Sequence, residues 1–422
     1  MTEISEKKIP ENILEVIRDT GHFVVTTHVQ PDGDAVGSLL AMADMLEQMG
    51  KRVFTYLDEP ISHLYDFLPG CRKLVSDIDR LQSFVDEAGV DICAVALDCG
   101  EADRMGRYQD YFLQISPFVV VDHHLSHLNF GDYRWVDPQC SSTGEMVYEI
   151  GQALGQTPTY EGAFSLYVAI CTDTGSFRYE CTGERTFEIA GKLVGLGVNP
   201  NEVAGLIYDN YSPERLNLMQ QVLATLELSE NKQIACIHVT REMFDRSGAL
   251  AQDVEGFIEY ARSISPVKVA VFIKETKSGL ISVSLRAKGE CNVASIAKQF
   301  GGGGHRNAAG CKFPANSLES VREKVVDSIK RDISISRVEL SDDLRHAKVY
   351  YTMFQGQEKM TQVNRSLDKA TGFMRSHLAK TLNLRFTPEL RFWYDEEFEE
   401  VEKIEKLLDE IARDRNKREE DS

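Results

Sequence analysis

The sequence lacks three features that would each indicate a class of protein. No run of about 18 apolar residues occurs, and the opening MTEISEKKIPENIL has neither an apolar core nor a cleavage signal, so membrane insertion and secretion are disfavoured. None of the nine cysteines forms a CxxC pair, which indicates reduced thiols in the cytoplasm rather than a disulfide scaffold. Positive charge is scarce, because 47 Lys and Arg stand against 66 Asp and Glu, a formal net charge of −19. Any site for a polyanion must therefore be local.

The 422 residues are enough for about two to four domains. Short apolar runs alternate with helical patterns in the first part of the chain, namely HFVVTTH at 22–28, RVFTYL at 52–57, DICAVAL at 91–97 and FVVV at 118–121. This alternation predicts an α/β fold with a mostly parallel sheet, and runs that are apolar throughout are typical of buried parallel strands. We assign residues 1–190 to this domain.

Two further domains are predicted after a helical connector at 191–230. Strand patterns QIACIHV, VKVAVFIKE and GLISVSLRA, the glycine-rich GGGGHRNAAG at 301–310 and a helix at 317–332 indicate a smaller α/β domain over 231–332. Residues 333–422 then read as two strands, a long helix from about 358 to 382, the strand ELRFWY, a terminal helix and a frayed charged tail, which is an α+β pattern.

Acidic and imidazole side chains follow successive apolar segments that we interpret as strands of the first domain. They are His28, Asp32 and Asp34, then Asp98, then Asp122, His123 and His124, and finally Asp173. Each motif alone is also compatible with an ordinary helix cap or turn. Four of them at one sheet edge indicate convergence on one crevice, where open α/β sheets bind ligands. These ligand types suit Mn²⁺ or a similar divalent metal, and two metals bridged by one carboxylate would relieve the repulsion among the acids.

These motifs resemble those of a known family. HVQPDGDAVGS, LDCG, VDHH and TDTGSF are similar to the four motifs of the DHH phosphoesterases, and SLRAKG and GGGGHRNAAG resemble their associated C-terminal domain, over about residues 10–332. Domain order and length resemble the subfamily of bifunctional oligoribonucleases and phosphoadenosine phosphate phosphatases. The resemblance implies two divalent metals, Mn²⁺ first and Mg²⁺ or Co²⁺ as alternatives.

The resemblance also implies roles for individual residues. One metal would be held by His28, Asp32 and Asp98, and the second by Asp34, Asp98, His123 and Asp173, so that Asp98 is the bridge. His124 is then left to protonate the leaving oxygen or bind phosphate, with Asp122 as its orienter. A buried imidazole bonded to the backbone is the alternative for His124.

Further residues are candidates for substrate binding. Ser141, Ser142 and Thr143 either position substrate or cap the following helix. Arg178 either reaches a phosphate or forms a surface salt bridge. In the second domain, the resemblance implies a cradle for a terminal phosphate and a base, and its residues would be Arg286, Gly302, Gly303, Gly304, His305 and Arg306.

Residues 333–412 resemble ribosome-binding factor A, a KH-like (type II) protein of small-subunit maturation. Ala370, Thr371 and Gly372 are predicted to interrupt the long helix at the place where other KH modules carry a GXXG loop. A basic face toward the rRNA of the small subunit would be formed by Arg365, Lys369, Gly372, Arg375, Lys380 and Arg385. A solvated helix face is the alternative reading.

The sequence therefore predicts a two-metal phosphodiesterase and 3′-phosphatase fused to a small-subunit maturation module. Residues 1–332 lack an extended basic or aromatic track, which favours RNAs of a few nucleotides or 3′-phosphorylated adenosine nucleotides over long strands. Hydrolysis of cyclic or linear dinucleotides is one alternative, and a ribosome-assembly protein with a vestigial enzyme half is another. The glycine-rich domain argues against a family II inorganic pyrophosphatase. The oligomeric state stays open, with a homodimer as one option.

Overall fold

The computed structural model describes residues 9–124, 127–289, 291–314, 317–331, 333–341, 343–353, 360–381 and 387–395. The chain divides into two compact units, one of Met1–Val222 with Glu242–Phe257 and the other of Leu223–Arg241 with Ile258–Ser422. Among the described helices, none combines the length and the apolarity needed to cross a lipid bilayer.

A parallel sheet organises the first unit. Its strands are β1 (His22–Thr26), β2 (Arg52–Tyr56), β3 (Ile92–Leu97), β4 (Phe118–Asp122) and β5 (Tyr133–Val136), in the spatial order β2-β1-β3-β4-β5. The predicted parallel sheet is confirmed. Successive residues of β1 enter different cores, with Phe23 and Val25 in one and Val24 in the other. All six residues of β3 are buried, as expected for a strand with apolar cores on both faces.

Helices accompany the parallel sheet in the first unit. They are α1 (Glu11–Asp19), α2 (Gly33–Gln48), α3 (Ile78–Ala88), α4 (Gln109–Phe112), α5 (Thr143–Ala153), α6 (Tyr160–Asp173), α7 (Glu184–Gly195), α8 (Pro200–Tyr208), α9 (Pro213–Leu223) and α10 (Arg241–Ser247). The first part of the segment predicted as a connector packs on the first unit, because Leu193, Val198 and Val203 belong to its core.

Close approach of α2 and α6 depends on glycine. A Cβ on Gly37 would lie 2.5 Å from the carbonyl oxygen of Ser165, and a Cβ on Gly33 would lie 2.5 Å from the Thr172 side chain. The start of α2 therefore faces the end of α6, and the two helices run in opposite directions.

The second unit contains a mixed sheet of β6 (Glu227–Leu228), β7 (Ile234–Val239), β8 (Val269–Glu275), β9 (Ile281–Ala287), β10 (Gly303–His305) and β11 (Ala308–Phe313). Its order is β10-β11-β9-β8-β7-β6, and β7 and β8 are its parallel pair. The accompanying helices are α11 (Phe257–Ser263), α12 (Val293–Gln299) and α13 (Leu318–Arg331). The glycine-rich segment predicted as a cradle is partly an edge strand, because β10 pairs with β11.

A third sheet is formed by β12 (Ile333–Leu340), β13 (His346–Met353) and β14 (Glu389–Tyr394), with α14 (Met360–Thr381) between β13 and β14. β12 pairs with β13 in antiparallel and β13 with β14 in parallel orientation. The predicted interruption at Ala370, Thr371 and Gly372 is wrong, because α14 continues through all three. The Thr371 hydroxyl donates to the Leu367 carbonyl one turn earlier, a bond compatible with a continuous helix. The predicted terminal helix lies outside the described residues.

Candidate metal centre

Three of the sequence motifs follow adjacent strands of the parallel sheet. β1, β3 and β4 lie side by side, and His28, Asp98 and residues 122–124 stand at or just after their carboxyl ends. β2 lies on one side of β1 and β3 on the other, so the winding direction of the sheet changes between β1 and β3. A switch point of this kind opens a crevice beyond the strand ends. His28 and Asp98 flank it.

Asp34 and Asp173 reach the same place from helices. Asp34 lies in the first turn of α2, and Asp173 is the last residue of α6. The prediction that Asp173 follows a strand is therefore wrong, and the packing of the end of α6 against the start of α2 brings it to the site. A carboxylate at a helix C-terminus meets the negative end of the helix dipole, so this position is unfavourable unless positive charge is close by.

The predicted ligands and His124 form three groups, and within each group the ligand atoms lie within 4.8 Å of one another. The groups are His28, Asp32 and Asp98; Asp34, His123 and Asp173; and Asp98, His123 and His124. The first two groups match the ligand sets implied by the family resemblance, apart from Asp98 in the second. Nε2 of His123 lies 3.5 Å from Asp98 Oδ1, which brings Asp98 to the second set as well. The third group shows that His124 is also placed to act as a ligand.

Burial and mutual repulsion shift the pKa values of the carboxylates in the cluster. Burial, followed by the charges of Asp98 and Asp173, raises the pKa of Asp34 well above its usual value. Burial also raises the pKa of Asp173 to about 6, against the opposing effect of His123. For Asp98, burial acts in the same direction, but the hydrogen bond from His28 and the nearby imidazoles outweigh it and lower the pKa. Bound cations would relieve this repulsion.

The histidines are oriented for metal binding. Nδ1 of His28 lies 2.9 Å from the Val29 carbonyl oxygen, and Nδ1 of His123 lies 3.3 Å from that of Cys140. For His123, a carbonyl at Nδ1 leaves Nε2 free as a ligand. The Nε2 atoms of both histidines face carboxylates of the cluster. The donor set of imidazole nitrogens and carboxylate oxygens therefore fits divalent metals.

The start of α5 fixes two of the carboxylates. The backbone amides of Thr143 and Gly144 donate to Asp34 at 2.7 and 2.9 Å, and the Thr143 hydroxyl donates to Asp98 at 3.1 Å. Asp98 adopts a left-handed backbone with φ of 55°, which is uncommon for residues other than glycine. Such strain is typical of functional sites, where the surrounding structure holds the residue in place.

Asp122 joins two imidazoles behind the cluster. It is fully buried, accepts a 2.7 Å bond from Nδ1 of His124 through Oδ1 and a 2.8 Å bond from Nδ1 of His127 through Oδ2. Burial alone would raise the pKa of Asp122, but the two histidines outweigh it and lower the pKa. Asp122 thereby holds the ring of His124 by its Nδ1 side.

The serine stretch is buried and takes part in the helix cap. Ser142 is the N-cap of α5 and accepts a bond from the Glu145 amide at 3.1 Å, and the Ser141 hydroxyl donates to the Glu145 carboxylate at 2.6 Å. The structure therefore shows the capping alternative at Ser142. Arg178 is exposed and donates from Nε to the Gly175 carbonyl at 2.6 Å.

Sequence reasoning missed two residues beside the cluster. His127 is a third histidine in DHHLSH, five positions after Asp122, and no spacing rule links it to its partner. Arg104 follows the LDCG motif, and its Nη2 lies 3.1 Å from Nδ1 of His28. Arg104 is the first basic residue after LDCG, and this position was the signal in the sequence that could have identified it.

The candidate residues of the second unit lie in two places. Arg286 is on β9, where its Nε lies 3.6 Å from Glu259 and its backbone pairs with Ala308 of β11. Gly302, Gly303, Gly304 and Arg306 lie around the β10–β11 hairpin, and the His305 side chain is outside the described part.

On α14, Arg365, Lys369 and Gly372 are exposed. Arg375 donates to the carbonyls of Thr387 and Pro388 and so ties α14 to the start of β14. The Lys380 side chain and the whole of Arg385 lie outside the described residues.

Three family models match successive parts of the chain. The DHH family N-terminal domain matches residues 22–170, the DHHA1 domain matches 232–331, and ribosome-binding factor A matches 317–408. The last two models overlap on 317–331, which contains α13. The side chains of Val321, Val325 and Ile329 belong to the core of the mixed sheet.

The fold, the cluster and these matches define the class of protein: the chain belongs to the DHH phosphoesterase family and carries an additional domain of the ribosome-binding factor A type. Among its relatives is the bifunctional oligoribonuclease and PAP phosphatase NrnA of Thermus thermophilus, which is 30% identical over 76% of this chain and 94% of the relative. The corresponding protein of Bacillus subtilis is 26% identical over 69% of this chain and 89% of the relative. The crystal structure of an exopolyphosphatase-related protein from Bacteroides fragilis matches 75% of this chain and 94% of its own with a TM-score of 0.69 and 27% identity.

Proposed function

We propose that residues 1–332 form a metal-dependent phosphoesterase that hydrolyses short oligoribonucleotides and removes the 3′-phosphate of phosphoadenosine phosphate. The observation that carries this proposal is the pair of ligand groups around His28 and His123, which share Asp98 between them. The names of the two bacterial relatives supply the substrate class. Residues 1–190 would act as the catalytic domain and 231–332 as the substrate-binding domain.

The ligand residues would hold two divalent metals, preferably Mn²⁺, with His28, Asp32 and Asp98 around one and Asp34, Asp98, His123 and Asp173 around the other. When bound, such metals supply Lewis-acid chemistry that activates water and neutralises phosphoryl charge. The start of α5 keeps Asp34 and Asp98 in place through the Thr143 and Gly144 contacts. Both carboxylates are thus preorganised for ligation.

Proton transfer to the leaving oxygen falls to His124. Burial alone would lower its pKa, but the hydrogen bond to Asp122 and the charge of Asp98 raise the pKa above the usual histidine value. A histidine with a raised pKa is protonated over a wider pH range, which suits a general acid. Asp122 acts through His124 as a positioning residue, because its carboxylate fixes the Nδ1 side of the ring.

Turnover of a substrate panel tests the enzyme proposal. Short 5′-labelled RNAs, phosphoadenosine phosphate, cyclic and linear dinucleotides and pyrophosphate are offered to the intact protein with Mn²⁺. We expect the first two to be hydrolysed fastest, and Asp98→Ala to lower turnover by more than about a hundredfold, beyond the loss usual for residues outside the ligand shell. Asp110→Ala, at an exposed position of α4, is the matched control.

Circular dichroism must show that the Asp98→Ala protein is folded. Full turnover by that folded variant would contradict the proposed role of Asp98 as a ligand shared by both metals. If the protein prefers a dinucleotide, the proposed substrate is wrong but the proposed site still stands. Absence of turnover by the intact, metal-loaded protein would favour the vestigial-enzyme alternative.

For residues 333–422 we propose a KH-like (type II) domain that contacts the rRNA of the small ribosomal subunit. The order β12-β13-α14-β14, with β13 and β14 parallel, supports this assignment, as does the match to ribosome-binding factor A. Exposed Arg365 and Lys369 stand one turn apart on α14 and form the described part of the basic face. Association of this kind falls as salt rises, because phosphate contacts release counterions.

A further inference from the structure

The third sheet has two different faces. One packs on α14, where Ala347, Val349 and Leu390 meet Met374 and Leu378. Side chains alternate along a strand, so the neighbours of these residues point to the opposite side. That side, here called the open face, is formed by Arg337, Glu339, His346, Lys348, Tyr350, Glu389, Arg391, Trp393 and Asp395.

An aromatic row crosses the open face. Arg337, Tyr350 and Trp393 are register partners on β12, β13 and β14. The Arg337 guanidinium lies over the Tyr350 ring at 4.0 Å from its centroid, a cation–π contact that fixes the ring. Trp393 is 52% exposed although it is among the largest apolar side chains of the chain. A tryptophan in this position offers its face to a planar ligand.

A second row beside the aromatic one carries charge. Glu339, Lys348 and Arg391 are register partners, and Lys348 and Arg391 are exposed. The three cations of the open face are matched by three carboxylates, because Asp395 is buried against Arg337 at 3.3 Å. Lys348 and Arg391 are the exposed cations beside Trp393. Glu389 lies 3.4 Å from Arg391, an exposed pair that contributes little and is readily exchanged for another anion.

We propose that the open face binds single-stranded RNA, with a base stacked on Trp393 and phosphates at Lys348 and Arg391. Stacking rings bordered by cations are the combination that sequence-tolerant single-strand binding uses. The proposal rests on the RNA-binding role proposed for this domain and adds a surface separate from α14, which packs on the other side of the sheet. A protein partner could pack on Trp393 without contacting Lys348 and Arg391, whereas RNA would contact all three.

Tryptophan fluorescence gives a direct readout, because the chain has two tryptophans and Trp135 is only 6% exposed. The full chain carries Asp98→Ala and is kept in EDTA to prevent hydrolysis, with Trp135→Phe to leave Trp393 as the reporter. Single-stranded RNA of about 12 nucleotides is titrated, with a duplex of the same length as comparison. We expect saturable quenching by the single strand and much weaker quenching by the duplex.

Anisotropy of the labelled RNA, with Trp135 intact, measures affinity independently of the reporter. Trp393→Ala should lower affinity about tenfold, since one stacked base is lost, and Trp393→Phe should restore most of it. Tyr160→Ala, at an aromatic side chain that is 48% exposed in the first unit, should have no effect.

Variants of the two surfaces separate the possible failures. If Arg365→Glu with Lys369→Glu abolishes RNA binding while Trp393→Ala leaves it unchanged, the domain binds RNA through α14 alone and the open-face proposal is overturned. If the chain without substitutions in either surface binds no RNA in either assay, the proposal that this domain binds RNA is itself contradicted. Quenching of Trp393 by a ribosomal protein and not by RNA likewise overturns the proposal.

Discussion

At the scale of single residues, the most informative contact is the one between Asp122 and its two histidines. Asp122 is fully buried, and both of its carboxylate oxygens are engaged, one by His124 and one by His127. His127 is buried as well and stacks on Phe130 with ring centroids 5.3 Å apart. A buried carboxylate with one of two donors removed keeps an unsatisfied oxygen, which costs about 1–3 kcal/mol and loosens its hold on the remaining partner.

We therefore expect His127→Leu to lower kcat about 10- to 100-fold, the range typical for residues that orient a site, with little change in KM. His127→Asn should recover much of this loss, because its side-chain amide can donate to Asp122 as Nδ1 does. The pH profile of kcat should also shift in His127→Leu and return toward the original in His127→Asn. Equal losses in both variants with an unchanged profile would mean that His127 only fills space.

The same residues show which parts of the site could be predicted from the sequence. His28, Asp98 and residues 122–124 were predictable because strand ends of one parallel sheet share an edge. Asp173 was predicted at the right place for the wrong reason, since a run such as YVAIC is equally apolar in a buried helix and in a buried strand. The Asp122–His127 bond was beyond prediction, because it depends on the path of a loop.

At the scale of elements, glycines decide how closely neighbouring segments pack. A Cβ on Gly302 would lie 2.1 Å from the Gly310 carbonyl oxygen and 2.6 Å from the Cys311 Cβ. The glycine run thus has a packing role at the β10–β11 hairpin in addition to the phosphate cradle predicted for it. Strand β10 is also the edge of its sheet, with few residues to compensate a distortion.

Gly302→Ala should therefore destabilise the hairpin by about 1–3 kcal/mol, the usual cost of overpacking. Amide hydrogen exchange is the suitable measurement, because it reports local opening in a chain of several domains. Exchange should accelerate in β10 and β11 and stay unchanged in β1 to β5. Gly191→Ala in α7, where a Cβ meets nothing within 4 Å, is the control and should be neutral or slightly stabilising. Unchanged exchange rates in Gly302→Ala would show that the hairpin accommodates the extra methyl group without loss of stability.

Elements with strong periodicity were predictable and short ones were not. The strands β1 to β4, β7 to β9 and β12 to β14 coincide with apolar or alternating runs in the sequence. β5 has four residues and only one of them is buried, so it leaves no pattern. The break expected at Ala370, Thr371 and Gly372 rested on the place of the GXXG loop in KH modules. In this chain the segment has one glycine, and an exposed glycine inside a long helix lowers its stability by only about 1 kcal/mol and does not end it.

At the scale of the whole molecule, one chain combines a phosphoesterase and a domain of the ribosome-binding factor A type. The family models for the DHHA1 domain and the ribosome-binding factor overlap on α13, whose apolar side chains belong to the core of the mixed sheet. β12 follows α13 after a single residue, so little chain separates the two domains. The net charge of −19 keeps the molecule as a whole away from polyanions, and only local sites attract them.

The two activities should accordingly be separable by substitution in the full chain. Arg365→Glu with Lys369→Glu should weaken association with small ribosomal subunits at least about tenfold and lower the slope of log affinity against log salt by about two, one for each phosphate contact removed. Hydrolysis of a short RNA by this variant should match the unsubstituted protein, and Asp98→Ala should show the reverse pattern. Arg80→Glu with Lys277→Glu makes the same charge change at exposed positions elsewhere and should affect neither activity. Cosedimentation at several salt concentrations measures association, and turnover of a short 5′-labelled RNA measures hydrolysis. Loss of association in Asp98→Ala would mean that the metal site and the ribosomal domain are coupled.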